Sequence, residues 1–337
     1  MAMRTVLVTG GAGFIGSHLV DQLLEGGAAV RVLDNLSTGS LANLQEAAER
    51  HSRAGGALNG SSLEVIIGDI RDRELLRKAL RGVQYVFHLA ALPPSSVSVT
   101  GVDDTHAVNV EGTLNVLYGA LTEGVWRVVL ASCSSVYGTA ETVPVLEEAP
   151  LRPTSLFAAS KVAAETYCRA FHARHQLDTV TLRYFSVYGP RQKAGPWGSL
   201  VPNLIEALRQ RRLFDEQDDR SREDLTYVDD VVAATLAAGR APRAAGRVIN
   251  IGSGQMVSIG DVLSVLADLM KAVVIPGFPR NPEARPHAIC ASTTAAGELL
   301  DFTPRVSLIA GLARVVRSMA GDEQVERAAL APVGLDD

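Results

Sequence analysis

Residues 5–16 read TVLVTGGAGFIG, and the rest of the chain can be placed from this stretch. Val6, Leu7 and Val8 form the short apolar run expected of a parallel strand buried on both faces. Gly11, Gly13 and Gly16 follow with the spacing G-x-G-x-x-G. In that spacing the first glycine permits a tight turn and the second lets a pyrophosphate approach the backbone. The third lets the next helix lie close to the sheet. Leu19, Val20, Leu23 and Leu24 recur at helical spacing within Ser17–Glu25, so that helix should present its N-terminus to the phosphates.

Glycines also cluster in ordinary turns, so the motif needs its surroundings. Val30–Leu33 is a second apolar strand, and it ends at Asp34. A carboxylate there accepts hydrogen bonds from both hydroxyls of a ribose and repels a 2′-phosphate, which predicts NAD(H) over NADP(H). Arg31 is the nearby cation that would weaken this preference, but it sits inside the strand.

The bulk properties agree with an α/β protein. With 337 residues, 47% hydrophobic, the chain can bury one large domain and a smaller one. A net charge of −5 with mixed signs gives no footprint for nucleic acid or a membrane surface. No apolar run approaches bilayer length, and MAMRTVLVTG leaves no room for a signal peptide's apolar region. Cys133, Cys168 and Cys290 are odd in number and lack metal-ligand spacing, so the reading is a cytoplasmic protein with free thiols and no metal.

Further strands are expected at Leu63–Ile67, Tyr85–Leu89, Arg127–Ala131, Asp178–Arg183 and Arg247–Ile251. Helices are expected at 104–123, 156–175, 200–209, 228–239, 258–270, 293–300 and 307–320. Residues 38–60 begin as a helix and fade into a connection, and 321–337 reads as a frayed tail. Asp69, at a strand end, either holds an adenine amino group or caps the helix of DRELLRKAL. Asn109 and Asn115 interrupt the apolar side of helix 104–123, where they either satisfy backbone groups or line a site. The loop with Pro93 and Pro94 is suited to covering a substrate.

The series VTGGAGFIGSHL, DNLSTG (34–39), GDIRD (68–72), HLAA (88–91), NVEGTLNVL (109–117), SSVYG (134–138), LRYFSVYGPRQ (182–192), LTYVDDVV (225–232) and NIGSG (250–254) resembles the extended short-chain dehydrogenase/reductase family, in its nucleotide-sugar epimerase and dehydratase branch. The resemblance implies a doubly wound parallel sheet of Rossmann type and a smaller C-terminal α/β substrate domain. Residues 1–186 plus 226–255 would form the first, and 187–225 plus 256–320 the second. It implies an NAD site built from Gly10, Gly13, Phe14, Ile15, Gly16, Asp34, Asn35, Ser37, Thr38, Gly39, Asp69, Ile70, Leu89, Ala90, Ala91, Asn109, Lys161 and Tyr184. It also implies a UDP- or dTDP-sugar substrate met by Ser186, Val201, Arg222 and Arg280. The assembly would be a homodimer through helices 104–123 and 156–175. Trp197 either stacks on a base or sugar or packs on the following helix.

In that family a Tyr four residues before a Lys exchanges the proton of the sugar hydroxyl, and a Ser or Thr at a strand end positions the oxygen. The Lys matches Lys161, whereas the Tyr position holds Phe157 and the Ser/Thr position Cys133. Three readings stand: an engineered knockout, a natural enzyme using another group such as Cys133, Ser134 or water, and a non-catalytic binder. Leu156, Ser186 and Glu223 also depart from the family pattern, which favours natural divergence over a single engineered change. Ser134 and Ser135 supply none of the carboxylates a dehydratase uses, so the pattern resembles the 4-epimerases; a decarboxylase acting on a 4-keto intermediate is the alternative.

Overall fold

The computed structural model describes residues 5–53, 62–92, 101–195, 200–211, 221–273 and 288–320. Strand β1 (Thr5–Thr9) leads through the glycine turn into α1 (Phe14–Glu25), then β2 (Ala29–Asp34), α2 (Ala42–Arg53), β3 (Ser62–Ile67), α3 (Arg73–Leu80) and β4 (Tyr85–His88). Helices α4 (Gly101–His106) and α5 (Gly112–Thr122) are joined by a π turn at Ala107–Glu111, where one unbroken helix was expected. Next come β5 (Arg127–Cys133), α6 (Leu156–His175) and β6 (Asp178–Tyr184). Ser155 Oγ accepts from Ala158 N at 3.1 Å, so α6 starts where its cap dictates.

Beyond β6 the elements shorten. β7 (Val187–Tyr188), α7 (Leu200–Arg209), β8 (Arg222–Glu223) and β9 (Thr226–Tyr227) precede α8 (Val228–Arg240) and β10 (Val248–Ile251). β11 (Val257–Ser258), α9 (Ile259–Met270), α10 (Thr294–Leu300) and α11 (Leu308–Ala320) complete the described chain. β7 pairs with β9 and β8 with β11, outside the main sheet.

The main sheet has seven parallel strands in the order β10-β6-β5-β4-β1-β2-β3. Val6 and Val8 pack on one face with α1 and α8, while Leu7 packs on the other with Leu117 of α5 and Ala164 of α6. Burial of both faces explains why these strands are continuous apolar runs rather than alternating ones. The chain goes from β1 outward to β2 and β3, then crosses back to β4 on the other side of β1. That reversal opens a crevice past the C-terminal ends of β1 and β4, where ligands of open α/β sheets bind.

Candidate functional site

A cleft of about 450 Å³ lies at this reversal, within the usual range of about 300–1,000 Å³ for small-molecule sites. Its walls include Gly10, Gly13, Phe14, Ile15 and Gly16 from the turn and start of α1, and Asp34, Asn35, Ser37 and Thr38 after β2. Asp69 and Ile70 after β3, Leu89, Ala90 and Ala91 after β4, and Tyr184 of β6 also line it. Gly39 is packed behind the wall, where an added Cβ would meet the Ala12 backbone at 2.9 Å. Arg71, Leu92, Asp104 and Val108 line the cleft as well and were missed. Only Arg71, inside GDIRD, carried a sequence signal.

The turn has no room for side chains. Gly10 has φ +71°, and a Cβ on it would lie 2.7 Å from Ala90 N. A Cβ on Gly16 would lie 2.2 Å from the Gly10 carbonyl, so α1 can approach the turn only with glycine there. The first turn of α1 has neither a side-chain cap nor an acid, leaving the positive helix end to an outside anion.

At the far end, Asp34 is buried and fixed. Its Oδ2 accepts from Ala12 N at 2.9 Å and its Oδ1 from Leu36 N at 2.8 Å, each oxygen keeping a lone pair for a ribose hydroxyl. Arg31 is engaged elsewhere: its Nε donates to Glu64 at 2.7 Å on the sheet edge. Asp69 does not cap α3; Asp72 does, accepting from Leu75 N at 3.0 Å. Asp69 instead forms a two-point pair with Arg71 (3.0 and 2.9 Å) and accepts from Asn35 at 3.0 Å. The Arg71 hydrogen bond holds its carboxyl at about 2. A capless helix start, a bare glycine turn and a two-oxygen acceptor at the ribose end fit NAD.

At the opposite end Ala131 of β5 and Tyr184 of β6 line the cleft, and Lys161 of α6 lies behind Ala131 rather than on the wall. Lys161 is buried and donates from Nζ to Ala131 O at 2.9 Å, and its ammonium lies 5.7 Å from the centre of the Phe157 ring. Loss of solvent lowers the Lys161 pKa. Cys133 Sγ lies 2.8 Å from Ser135 Oγ. Burial pushes the Cys133 thiol pKa up, against the lowering effect of the Ser135 hydrogen bond and of Lys161. Among the described residues, two phenols of this region are already engaged. Tyr184 O–H donates to Thr235, whose own hydroxyl is committed to Val231 O, and Tyr137 O–H donates to Asn250 Oδ1.

Behind Lys161 runs a buried ion pair. Glu165, one turn further along α6, takes Arg183 at 2.7 Å and the Ser132 hydroxyl. Arg183 Nη1 also donates to Tyr137 Oη at 2.8 Å and Glu147 O at 2.9 Å, which fixes the turn after Cys133.

Asn109 sits in the π turn with its amide fully used. It accepts from Leu92 N at 2.7 Å and donates to Leu92 O at 3.1 Å and Ser160 Oγ at 3.0 Å. It therefore joins the cleft wall to α6 rather than lining the cleft. Asn115 does not line the cleft; it binds Arg73 and the carbonyl of the lining residue Ile70, behind the wall.

Of the substrate candidates, Ser186 is half-buried beside Glu223, Arg222 is exposed on β8, and the Val201 side chain is packed in the core. Arg280, Trp197, Pro93, Pro94 and the tail 321–337 lie outside the described residues. Among the described residues no cluster of His, Cys, Asp or Glu could hold a metal ion, and no helix is long and apolar enough to cross a membrane.

Residues 6–252 match the NAD dependent epimerase/dehydratase family. UDP-glucose 4-epimerase of Mycolicibacterium smegmatis is 36% identical over 96% of this chain and 100% of its own. UDP-N-acetyl-alpha-D-glucosaminuronate decarboxylase of Bacillus cytotoxicus is 32% identical over 93% and 97%. A Tyr-to-Phe mutant of UDP-glucuronic acid 4-epimerase from Bacillus cereus, solved with a 4-deoxy-4-fluoro substrate analogue and NAD, superposes with TM-score 0.83. It is 29% identical over 96% of this chain and 100% of that one.

Proposed function

The chain belongs to the NAD dependent epimerase/dehydratase family, the extended short-chain dehydrogenases/reductases, and from this we propose that it is a nucleotide-sugar 4-epimerase-like enzyme working through a transient 4-keto sugar. When bound, NAD supplies the acceptor that takes a hydride from the sugar and returns it. Asp34 would hold the adenosine ribose, the start of α1 would face the pyrophosphate, and the small Ala90 and Ala91 would let the cofactor lie against the backbone. Lys161 holds a positive charge at the end of β5, where the sugar hydroxyl loses its proton.

The proton route is atypical. With Phe157 in place and burial opposing ionisation of the Cys133 thiol, the hydroxyls of Ser134 and Ser135 together with solvent carry the proton. Ser134 and Ser135 also lack the carboxylates that dehydration needs, which supports epimerisation. Ser186, Arg222 and Arg280 are assigned to the sugar nucleotide, with Val201 shaping the wall behind it. Residues 187–225 plus 256–320 form the substrate domain.

The observation that carries the reading is the Asp34-to-Lys161 arrangement on a chain that aligns end to end with a UDP-glucose 4-epimerase. Incubation with UDP- and dTDP-sugars, followed by NMR, tests it. New epimers and a transient NADH absorbance are expected; an unchanged panel without NADH would overturn it. Phe157 itself favours a second reading, binding without turnover. The mutant relative that carries NAD and a substrate analogue gives that reading a physical precedent.

The proposed assembly is a homodimer in the cytoplasm. α5 exposes Tyr118 (64%) and α6 exposes Leu156 (56%) and Tyr167 (38%), apolar surface suited to a partner's matching helices.

A further inference from the structure

The base of a dinucleotide whose adenosine ribose meets Asp34 would fall past the end of β3, the next strand outward, where Asp69, Ile70 and Arg71 line the cleft. The carboxylate that an adenine amino group would seek there is already filled. Asp69 Oδ1 accepts from Arg71 N at 2.9 Å and from Arg71 Nε at 3.0 Å. Its Oδ2 accepts from Arg71 Nη2 at 2.9 Å and from Asn35 Nδ2 at 3.0 Å. An ionised carboxylate has about four acceptor positions, so none is left for a base. What these bonds do is fix Arg71. A fork of Nε and Nη2 on the two carboxylate oxygens makes guanidinium and carboxylate coplanar. The remaining nitrogen, Nη1, lies 3.9 Å from Oδ1 of Asp104, a lining residue on α4. The guanidinium is thus held by its edges, and its flat faces are what it has left to offer a ligand.

We infer that Arg71 holds the cofactor's base by stacking its guanidinium plane on the purine ring, and that the cleft does not read the purine's 6-amino group. A guanidinium over an aromatic ring is attracted by the ring's π electrons, and every purine presents such a face. Asp69 is then a positioning residue that acts through Arg71. The inference concerns the cofactor end and is independent of which sugar reaction follows.

Calorimetric titration of the nucleotide-stripped protein with NAD, and with its analogue carrying purine in place of adenine, tests this. The analogue lacks the 6-amino group and keeps the ring nitrogens. The wild type should bind the two within about threefold, whereas an amino group given to a carboxylate would cost the analogue about tenfold or more. Arg71→Ala should weaken the analogue by about three- to tenfold. The analogue is the cleaner reporter in that variant, because Asp69 released from Arg71 is free to accept from adenine. Arg71→Lys keeps the charge without the plane and should lose nearly as much. Asp69→Ala unpins Arg71 and should weaken both ligands by the same factor. Wild type that binds the analogue tenfold or more weakly than NAD overturns the inference, and that comparison needs no variant. So does Arg71→Lys with wild-type affinity, or Asp69→Ala that weakens NAD alone. The Arg71 side chain is 44% exposed, so its replacement leaves the packing intact. Failure of the wild type to bind either ligand would remove the NAD site, and the inference with it.

Discussion

Phe157 carries a ring at the start of α6 and no oxygen on it, so the proton that leaves the sugar cannot go there. Phe157→Tyr should raise turnover by about 10²–10⁴-fold, the worth of a positioned acid/base group. NMR of the sugar products measures it, and the variant's NAD content shows that binding is unchanged. A smaller gain would mean that the route through Ser134, Ser135 and solvent is already as effective as a positioned phenol. His88 is the second residue whose environment makes a definite prediction. It is buried, with Nδ1 2.7 Å from Thr9 Oγ1 and Nε2 2.9 Å from Thr113 Oγ1. Thr113 spends its own proton on Asn109 O, so His88 donates from Nε2 and accepts at Nδ1. Burial lowers its pKa to about 3 from 6.5. The unfolded chain therefore binds a proton between pH 6.5 and about 3 that the folded chain refuses, and stability falls as pH drops through that window. Denaturation at several pH values should show His88→Gln removing about 1.4 kcal/mol per pH unit from that acid slope. The absence of the phenol is legible at position 157, one letter in a spaced motif. The role of His88 is not, because its partners lie 79 and 25 residues away and only the fold brings them to the ring.

The π turn at Ala107–Glu111 shows what periodicity leaves out. The apolar spacing over 104–123 predicts a helix and gives no sign of the extra residue per turn that carries the Asn109 amide to Leu92 and Ser160. Such turns recur at functional sites because they aim one side chain without ending the helix. Asn109→Ala leaves the Leu92 N–H and carbonyl and the Ser160 hydroxyl without their partner, at a cost of about 2–4 kcal/mol. Urea unfolding should register that loss, and faster NAD release should accompany it, since Leu92 forms part of the cleft wall. Asp224 does for the shorter elements what Asn109 does for α4 and α5. Fully buried between β8 and β9, it accepts from Ser253 N and Oγ (2.6 Å each), Gly254 N and Ala291 N (3.0 Å each). It thereby ties the turn after β10 to the segment leading into α10. In Asp224→Asn an amide N–H₂ would face donors, and a similar loss of about 2–4 kcal/mol is expected in the same unfolding assay. Neither hub stands out in sequence: an Asn on a helix and an Asp in EDLTY are unremarkable until their distant backbone partners are known.

Across the whole molecule, the parallel strands and the cleft were legible because both are written locally. Apolar runs such as Val6–Val8 and Val128–Leu130 mark buried strands, and the glycine spacing with Asp34 marks the cofactor end. The neighbour of β6 was less so, since 63 residues lie between the end of β6 at Tyr184 and the start of β10 at Val248, which joins the sheet only after the chain has built β7, α7, β8, β9 and α8. Surface chemistry is where local pattern is weakest, because an apolar helix face reads the same whether it covers a sheet or meets another chain. Here α5 and α6 already cover the sheet with Val116, Leu117 and Ala164, so Tyr118, Leu156 and Tyr167 are left over on their outer sides. Leaving them in water forgoes burial worth about 1.5–3 kcal/mol for each large side chain. If two chains meet there by a two-fold axis, each of these residues counts twice, and one charge introduced on the face is also introduced twice. Tyr118→Glu with Tyr167→Glu should then convert a species of twice the chain mass into a single chain in sedimentation velocity. NAD content should be retained, because neither tyrosine lines the cleft. A wild type that already sediments as a single chain at micromolar concentration would refute the dimer and leave the cleft as the property of one chain.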